Sequence, residues 1–301
     1  MDLIGVDIGG TKVSVCLGDA EGTILAHKRI ATASLGGPET GLPKIVEVIG
    51  HLLRDENIEL NDIRAIGLAA PGPVSTKAEK MLTPPNLPNW VDVPIVQYLR
   101  EKLGCPVFMD NDANAGALAE WMFGGAKHVD NLVYLTMSTG MGGGLIIDGK
   151  LHQGGTDTAG EVGHFVLNPK GPKCACGLTG CFEAFCGGAA VAERESMDMK
   201  ELVARVKKSD PKALKVWEDY IDRLAQGIGI LLQTLNPDAI ILGTIATLNK
   251  ELVMNPLKQA LPHFAWGVPL KYCRIEPSQL GSDIGKLGAL ALAIHGLNHL
   301  R

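Results

Sequence analysis

The chain has no long apolar run, no excess of basic residues and no low-complexity tract, and each absence removes a class of protein. No apolar stretch reaches the roughly 20 residues needed to cross a bilayer, so no transmembrane helix is expected. Lys and Arg number 28 against 33 Asp and Glu, for a net charge of −5. That balance lacks the clustered cations of a phosphate-backbone footprint, and no nucleic-acid partner is expected. The opening Met1-Asp2-Leu3-Ile4 enters a strand-like run without a basic region before it. It does not read as a secretory signal, and a cytoplasmic protein with no membrane partner is expected.

What is present is the composition of a folded protein, 46% hydrophobic and 20% charged, which excludes the disordered and fibrous classes. A length of 301 residues strains a single core and points to two domains. The 37 glycines call for many tight turns and close backbone approaches. There are seven cysteines, an odd number, and Cys174, Cys176 and Cys181 crowd one loop with Cys186 close behind. Without a secretory signal, such a cluster reads as metal-binding sooner than as a disulfide framework.

Leu3 to Leu17 is apolar and β-branched around a Gly-Gly break, turns at Asp19 to Gly22 and resumes at Thr23-Ile24-Leu25. This predicts consecutive antiparallel strands. Helical spacing of Ile45, Val48, Ile49, Leu52 and Leu53 predicts a helix near Pro43 to Asp55, and another is expected near Ile95 to Leu103. Strands are expected at Ile63 to Ala69 and Val107 to Met109. The strand, glycine-turn, strand pattern returns at Leu132 to Ile147, with its own acidic-glycine turn at Asp148-Gly149. Two such hairpins, one per domain, suggest a polyphosphate gripped from both sides. A helix is predicted from Pro211 to about Leu235, stopped by Asn236-Pro237, with a short buried strand at Ala239 to Leu242. Ser282 and Asp283 are N-cap candidates for a last helix with a strongly apolar face, running to His295.

Five groups of residues carry chemistry. His164, Cys174, Cys176 and Cys181 offer one imidazole and three thiolates, a set suited to closed, tetrahedral, structural Zn²⁺. Reduced, buried cysteines without metal are the plainer alternative. Asp7-Ile8-Gly9-Gly10-Thr11-Lys12 offers backbone N–H groups, a hydroxyl and a cation to phosphate, and Asp7 is placed to hold Mg²⁺ through water. A strand follows this loop, so it is neither a Walker loop nor a dinucleotide fingerprint; alone, it is equally a plain glycine hairpin. The second loop, Ser138-Thr139-Gly140-Met141-Gly142-Gly143-Gly144, repeats the context of the first. In Asn111-Asp112-Ala113-Asn114, Asp112 reads as a helix N-cap and as a carboxylate at a strand's C-terminal end, ready to accept a hydroxyl proton. Glu161 and Glu183 flank the metal candidates and suit sugar hydroxyls. If one His164 nitrogen binds zinc, the other carries its proton and can donate.

Together these segments resemble the ROK family (repressors, open reading frames and kinases), most closely its bacterial glucokinases, in order and over nearly the whole chain. The resemblance implies an actin-like, ribonuclease H-like α/β fold of two domains with a cleft between them: residues 1–115 with 287–301, and a larger domain, 116–286, carrying the zinc site. It implies that Asp112 takes the proton from a sugar 6-hydroxyl for attack on the γ-phosphorus of ATP. Asn111, Glu161, His164 and Glu183 match sugar contacts, with Gly72 and Asn86 added. Asp7, Gly9, Gly10, Thr11, Lys12, Thr139, Gly140 and Gly142 match phosphate contacts, and Mg²⁺ bridges the phosphates. Gly243 falls in the adenosine segment, where relatives place two or three glycines and this chain reads Gly243-Thr244-Ile245. Larger side chains there would narrow the adenine slot, which keeps a polyphosphate donor open. With the glycine loop starting at residue 7, a repressor's helix-turn-helix before it is not expected. A homodimer is expected from family habit. Sugars related to glucose, among them fructose, mannose and N-acetylmannosamine, and a non-catalytic sugar sensor are the competing readings.

Overall fold

The computed structural model describes residues 2–87, 89–127 and 129–300. These pack as two compact units, one made of Met1–Gly124, Gln153–Thr158 and Ser282–Arg301, the other of Gly125–His152 and Ala159–Gly281. The first unit thus takes in residues 116–124, which the expected boundary at 115/116 assigned to the larger domain, and recovers a six-residue piece from beyond the second hairpin.

The first unit opens with β1 (Asp2–Ile8), β2 (Lys12–Gly18) and β3 (Ile24–Ala31), the antiparallel run its alternating pattern predicts. Helix α1 (Pro38–Asp55) follows, starting five residues before the expected Pro43 because Pro38, at its first turn, already has the φ a helix needs. Then come β4 (Ile63–Ala70), a two-residue pairing of β5 (Val74–Ser75) with β6 (Lys80–Met81), α2 (Ile95–Leu103), β7 (Val107–Asn111) and α3 (Asp112–Met122). The sheet order is β3-β2-β1-β4-β7, with β4 parallel to both β1 and β7.

Side-chain alternation assigns the two faces of this sheet. Ile4, Val6 and Ile8 of β1, with Leu68 and Met109, meet Ile45, Ile49, Leu52 and Leu99 from α1 and α2 in one cluster. Leu3 and Ala65 belong to a second cluster, on the opposite face.

The second unit holds β8 (Leu132–Met137), β9 (Met141–Ile147), β10 (Lys150–Leu151), β11 (Ala239–Leu242) and β12 (Arg274–Pro277) in the order β10-β9-β8-β11-β12. Strand β11 runs parallel to β8 and β12, and the hairpin β8–β9 is antiparallel. Its helices are α4 (Phe182–Cys186), α5 (Gly188–Glu195), α6 (Met199–Lys207), α7 (Pro211–Leu235), α8 (Thr244–Leu248), α9 (Lys250–Ala260) and α10 (Gly267–Tyr272). Helix α7 starts and stops at its sequence signals. Asp210 accepts hydrogen bonds from Lys212 N and Ala213 N, Pro211 is first in the helix, and Asn236 closes it in the left-handed conformation. Trp217, Tyr220, Ile221, Leu224, Ile228, Leu231 and Leu232 recur at helical spacing and are buried in the core.

The last helix, α11 (Ile284–His299), returns to the first unit and packs against β1, β4 and α3. An apolar face was expected, but Lys286 to Ala293 are buried without a break, so the helix is enclosed on all sides over these eight residues. Glycines permit this approach: a Cβ on Gly67 would sit 1.8 Å from the Ala289 carbonyl oxygen. The capping expectation also needs correction. Asp283 makes no side-chain cap bond; its carboxylate instead lies 2.8 Å from the buried Lys286 Nζ, because an ammonium leaving water needs a counter-charge. None of the helices in the described residues is long and apolar enough to cross a membrane.

Candidate functional site

In the first unit the site is built on one end of the sheet. The parallel register aligns Asp7 with Ala69, and Ala69 with Asp110, across β1, β4 and β7. Asp7 and Asp110 are therefore level, point to the same face, and stand at the C-terminal ends of parallel strands, where open α/β sheets bind ligands.

Asp7 lies against the start of α11, where a Cβ on Gly285 would come within 2.3 Å of its Oδ2. Removal from water and the nearby Asp112 charge raise its pKa to about 6, against the smaller opposing pull of Lys12, Arg29 and Lys286. The loop after it is a tight turn. Gly9 N donates to Lys12 O at 2.9 Å, Thr32 Oγ1 donates to Gly9 O at 2.6 Å, and Gly10, Thr11 and Lys12 are exposed. Asn86 lies across the turn, with its Nδ2 3.1 Å from where a Gly10 Cβ would be. The Gly72–Pro73 peptide is cis.

At the end of β7 the helix cap falls one residue earlier than the sequence suggests. Asn111 is the N-cap of α3, accepting from Asn114 N at 2.7 Å, and Asp112 is the first helical residue, exposed. Asp112 is thus not the capping residue, while Asn111 is buried and its side-chain oxygen is committed to the helix.

Behind them lies a polar network that sequence reading missed. The buried Asp110 carboxylate accepts from Asn111 N at 2.7 Å, Asn114 Nδ2 at 2.9 Å and Gln153 Nε2 at 2.7 Å. Burial raises its pKa despite these bonds. Asp157, from the same returning piece, accepts from Thr76 N at 3.0 Å and Thr76 Oγ1 at 2.8 Å. Asp110 adjoins the Asn111-Asp112 pair and was findable by position. Gln153 and Asp157 carry no local signal, since their partners lie 43 and 81 residues away.

In the second unit the four metal candidates converge, with ligand atoms all within 4.8 Å of one another. Cys176 Sγ is 3.7 Å from Cys181 Sγ, and Cys174 Sγ is 3.7 Å from His164 Nδ1. A disulfide would need about 2.05 Å. A tetrahedron with Zn–S near 2.3 Å and Zn–N near 2.0–2.1 Å has edges of about 3.6–3.8 Å, so these spacings and the donor set fit zinc. The loop closes because Gly180, in the left-handed region at φ 78°, has the Asn168 carbonyl oxygen where a Cβ would be. With Nδ1 toward the sulfurs, His164 Nε2 faces Glu161 Oε2 at 3.8 Å.

The second glycine loop connects β8 to β9. Ser138 and Thr139 are exposed there, and Gly140 and Gly142 are partly covered. Gly143 N donates to Gly160 O at 2.9 Å, a close approach that sets down the neighbouring, exposed Glu161. Glu183 is not a simple solvated acid: its Oε2 accepts from Met141 N at 2.8 Å. Gly243 follows β11 and is the N-cap residue of α8, with Thr244 exposed and Ile245 buried in the core.

Asp7, Gly9 to Lys12, Gly72, Asn86, Asn111 and Asp112 therefore belong to the first unit, and Thr139, Gly140, Gly142, Glu161, His164, the three cysteines, Glu183 and Gly243 to the second. A ROK family model matches residues 3–295. The chain belongs to the ROK family. It is 30% identical to a glucokinase of Thermotoga maritima over 97% of both chains. It is equally 30% identical to a xylose repressor of Bacillus spizizenii, over 97% of this chain and 76% of that one. Among solved structures, a ROK family glucokinase from Streptomyces griseus in complex with glucose and AMPPNP superposes with a TM-score of 0.82, at 29% identity over 98% of this chain and all of that one. The fold is accordingly the actin-like fold of ROK sugar kinases.

Proposed function

We propose that this ROK chain is an ATP-dependent hexose kinase that moves the γ-phosphoryl group to the sugar 6-hydroxyl, with glucose the first candidate substrate and ADP and glucose 6-phosphate the products. The observation that carries the reading is Asp112, exposed at the first position of α3, beyond the end of β7 and beside Asp7. Phosphoryl transfer asks a protein mainly for positioning and charge neutralisation, with one carboxylate for the nucleophile's proton.

In this reading Asp112 accepts the 6-hydroxyl proton as that oxygen attacks the γ-phosphorus, and the bond to the ADP oxygen breaks. Asp110 and its bonds to Asn111 and Asn114 fix the strand-to-helix corner from which Asp112 projects. Asp7 would hold Mg²⁺ through water, and the ion would neutralise phosphate charge. The loops of Gly9 to Lys12 and Thr139 to Gly142 present backbone N–H groups and hydroxyls to phosphate. Glu161, His164 and Glu183 contact the sugar, with Asn111, Asn86 and Gly72 completing the set. Glu183 would use Oε1 for this role, an oxygen 4.0 Å from Cys174 Sγ, since Oε2 accepts from Met141 N.

His164, Cys174, Cys176 and Cys181 would hold a structural Zn²⁺ that leaves no open position for water. Glu161 beside His164 Nε2 orients the imidazole, as outer carboxylates do for metal-bound histidines. The adenosine would lie along Gly243 and Thr244. Ile245 points into the core, so it takes no width from that slot, and this favours ATP over polyphosphate. The homodimer is proposed on family grounds alone.

A second reading, a sugar-sensing protein without catalysis, is favoured by the identity shared with the xylose repressor. An ADP-release assay over glucose, fructose, mannose and N-acetylmannosamine separates the two. Turnover with any of them supports the kinase. No turnover with either ATP or polyphosphate as donor, in a protein that binds sugar, establishes the sensor.

A further inference from the structure

The second glycine loop is held from behind by one short stretch of chain. Glu183 Oε2 accepts from Met141 N at 2.8 Å. Gly188 N and Ala189 N donate to Ser138 O and Thr139 O at 2.9 and 2.8 Å. The last two donors belong to the first turn of α5, whose amides have no partner within the helix. The loop supplies the acceptors they need. Contact leaves no slack, since a Cβ on Gly140 would lie 2.5 Å from Glu183 Oε2 and one on Gly188 would lie 2.6 Å from Ser138 O.

The same stretch is rigidly rooted. Cys181, one of the four clustered ligands, is the N-cap of α4 two residues before Glu183. Phe182 between them is fully buried beneath Gly227 of α7. The α4–α5 corner therefore joins the metal cluster to Ser138–Met141 through a chain of direct contacts.

We infer that Glu183 and the Gly188-Ala189 turn are positioning elements for the nucleotide's phosphates, holding the second glycine loop in its binding shape. Glu183 then ties the metal cluster to the loop directly: its Oε1 lies 4.0 Å from Cys174 Sγ, and its Oε2 sets the loop. The inference rests on the reading that this loop contacts phosphate.

The test is calorimetric titration of the full-length, zinc-loaded protein with AMPPNP and Mg²⁺, without sugar, followed by a separate titration with glucose. Gly188→Ala acts from outside the proposed binding residues. It is expected to weaken AMPPNP by roughly tenfold through displacement of the loop, while zinc content and glucose affinity stay as in wild type. Glu183→Ala is expected to weaken AMPPNP similarly, and Glu183→Gln to restore most of the affinity, because its amide oxygen still accepts from Met141 N. AMPPNP affinity unchanged in both Gly188→Ala and Glu183→Ala overturns the inference and leaves the kinase reading intact. Wild type that binds no AMPPNP overturns the phosphate role of the loop, and this inference with it.

Discussion

Asn111 Oδ1 accepts the backbone N–H of Asn114 at 2.7 Å, which makes Asn111 the cap of α3 and puts Asp112 inside its first turn. Two adjacent residues that look interchangeable as caps thereby take different work, one holding the helix and the other exposed. Replacing Asn111 by Ala removes an N-cap bond and is expected to cost about 1 kcal/mol of stability. Asn111→Asp keeps the acceptor and is expected to cost less. Equilibrium denaturation of the two variants checks the order.

Asp112→Asn retains size and loses the proton acceptor. It is expected to lower kcat by about a hundredfold to ten-thousandfold, with glucose affinity by calorimetry near wild type. Loss of glucose binding in parallel with kcat would instead make Asp112 a binding residue.

Asp7 carries a pH signature. Its pKa is raised from 3.8 to about 6, by burial first and Asp112 second, so the folded state holds the proton more tightly than the unfolded chain. Its contribution to stability is complete below about 4 and is lost as pH rises through about 6. In the metal-free, nucleotide-free protein, Asp7→Asn should flatten the fall in stability between pH 4 and pH 7 by about 3 kcal/mol at most. Thermal melting across that range reads the slope, and equal slopes in the two proteins would contradict the assignment.

The cysteine cluster is expected to hold about one zinc per chain by elemental analysis. Cys176 is exposed, so a strong chelator should reach the metal from that side. Cys176→Ser is expected to lose zinc and to weaken glucose binding together, because His164 and Glu161 are then no longer fixed. Zinc loss with unaltered glucose affinity would disconnect the metal from the sugar.

Gly67→Ala places a methyl group on the Ala289 carbonyl oxygen, which neither β4 nor the enclosed α11 can yield. The expected cost exceeds about 3 kcal/mol, read as a large drop in melting temperature or loss of soluble protein.

Much of this protein is legible in one dimension. The limits of α2, α7 and β11 follow from apolar period, Asp-Pro starts and Asn-Pro stops, because those signals act within a turn or two of chain. The two glycine hairpins and the Cys-x-Cys loop are likewise local, and short loops carry their residues together by geometry alone. The resemblance to the ROK family rests on the same motifs.

Tertiary structure decided what depends on partners far away in sequence. The periodicity of α11 shows an apolar face; its enclosure follows only from the glycines of β1 and β4 that admit it. Which asparagine or aspartate caps α3 depends on a backbone angle at Asn111 that β7 sets. Gln153 and Asp157 return to the first unit, where buried Asp110 and the part-buried Thr76 just after β5 take them as hydrogen-bond partners. Glu183 reads in sequence as an acid suited to sugar hydroxyls, and only the packing of α4 against β9 gives its second oxygen the Met141 amide. The residue types that do chemistry are chosen locally, and their orientation is set by the hydrogen bonds that burial obliges the fold to satisfy.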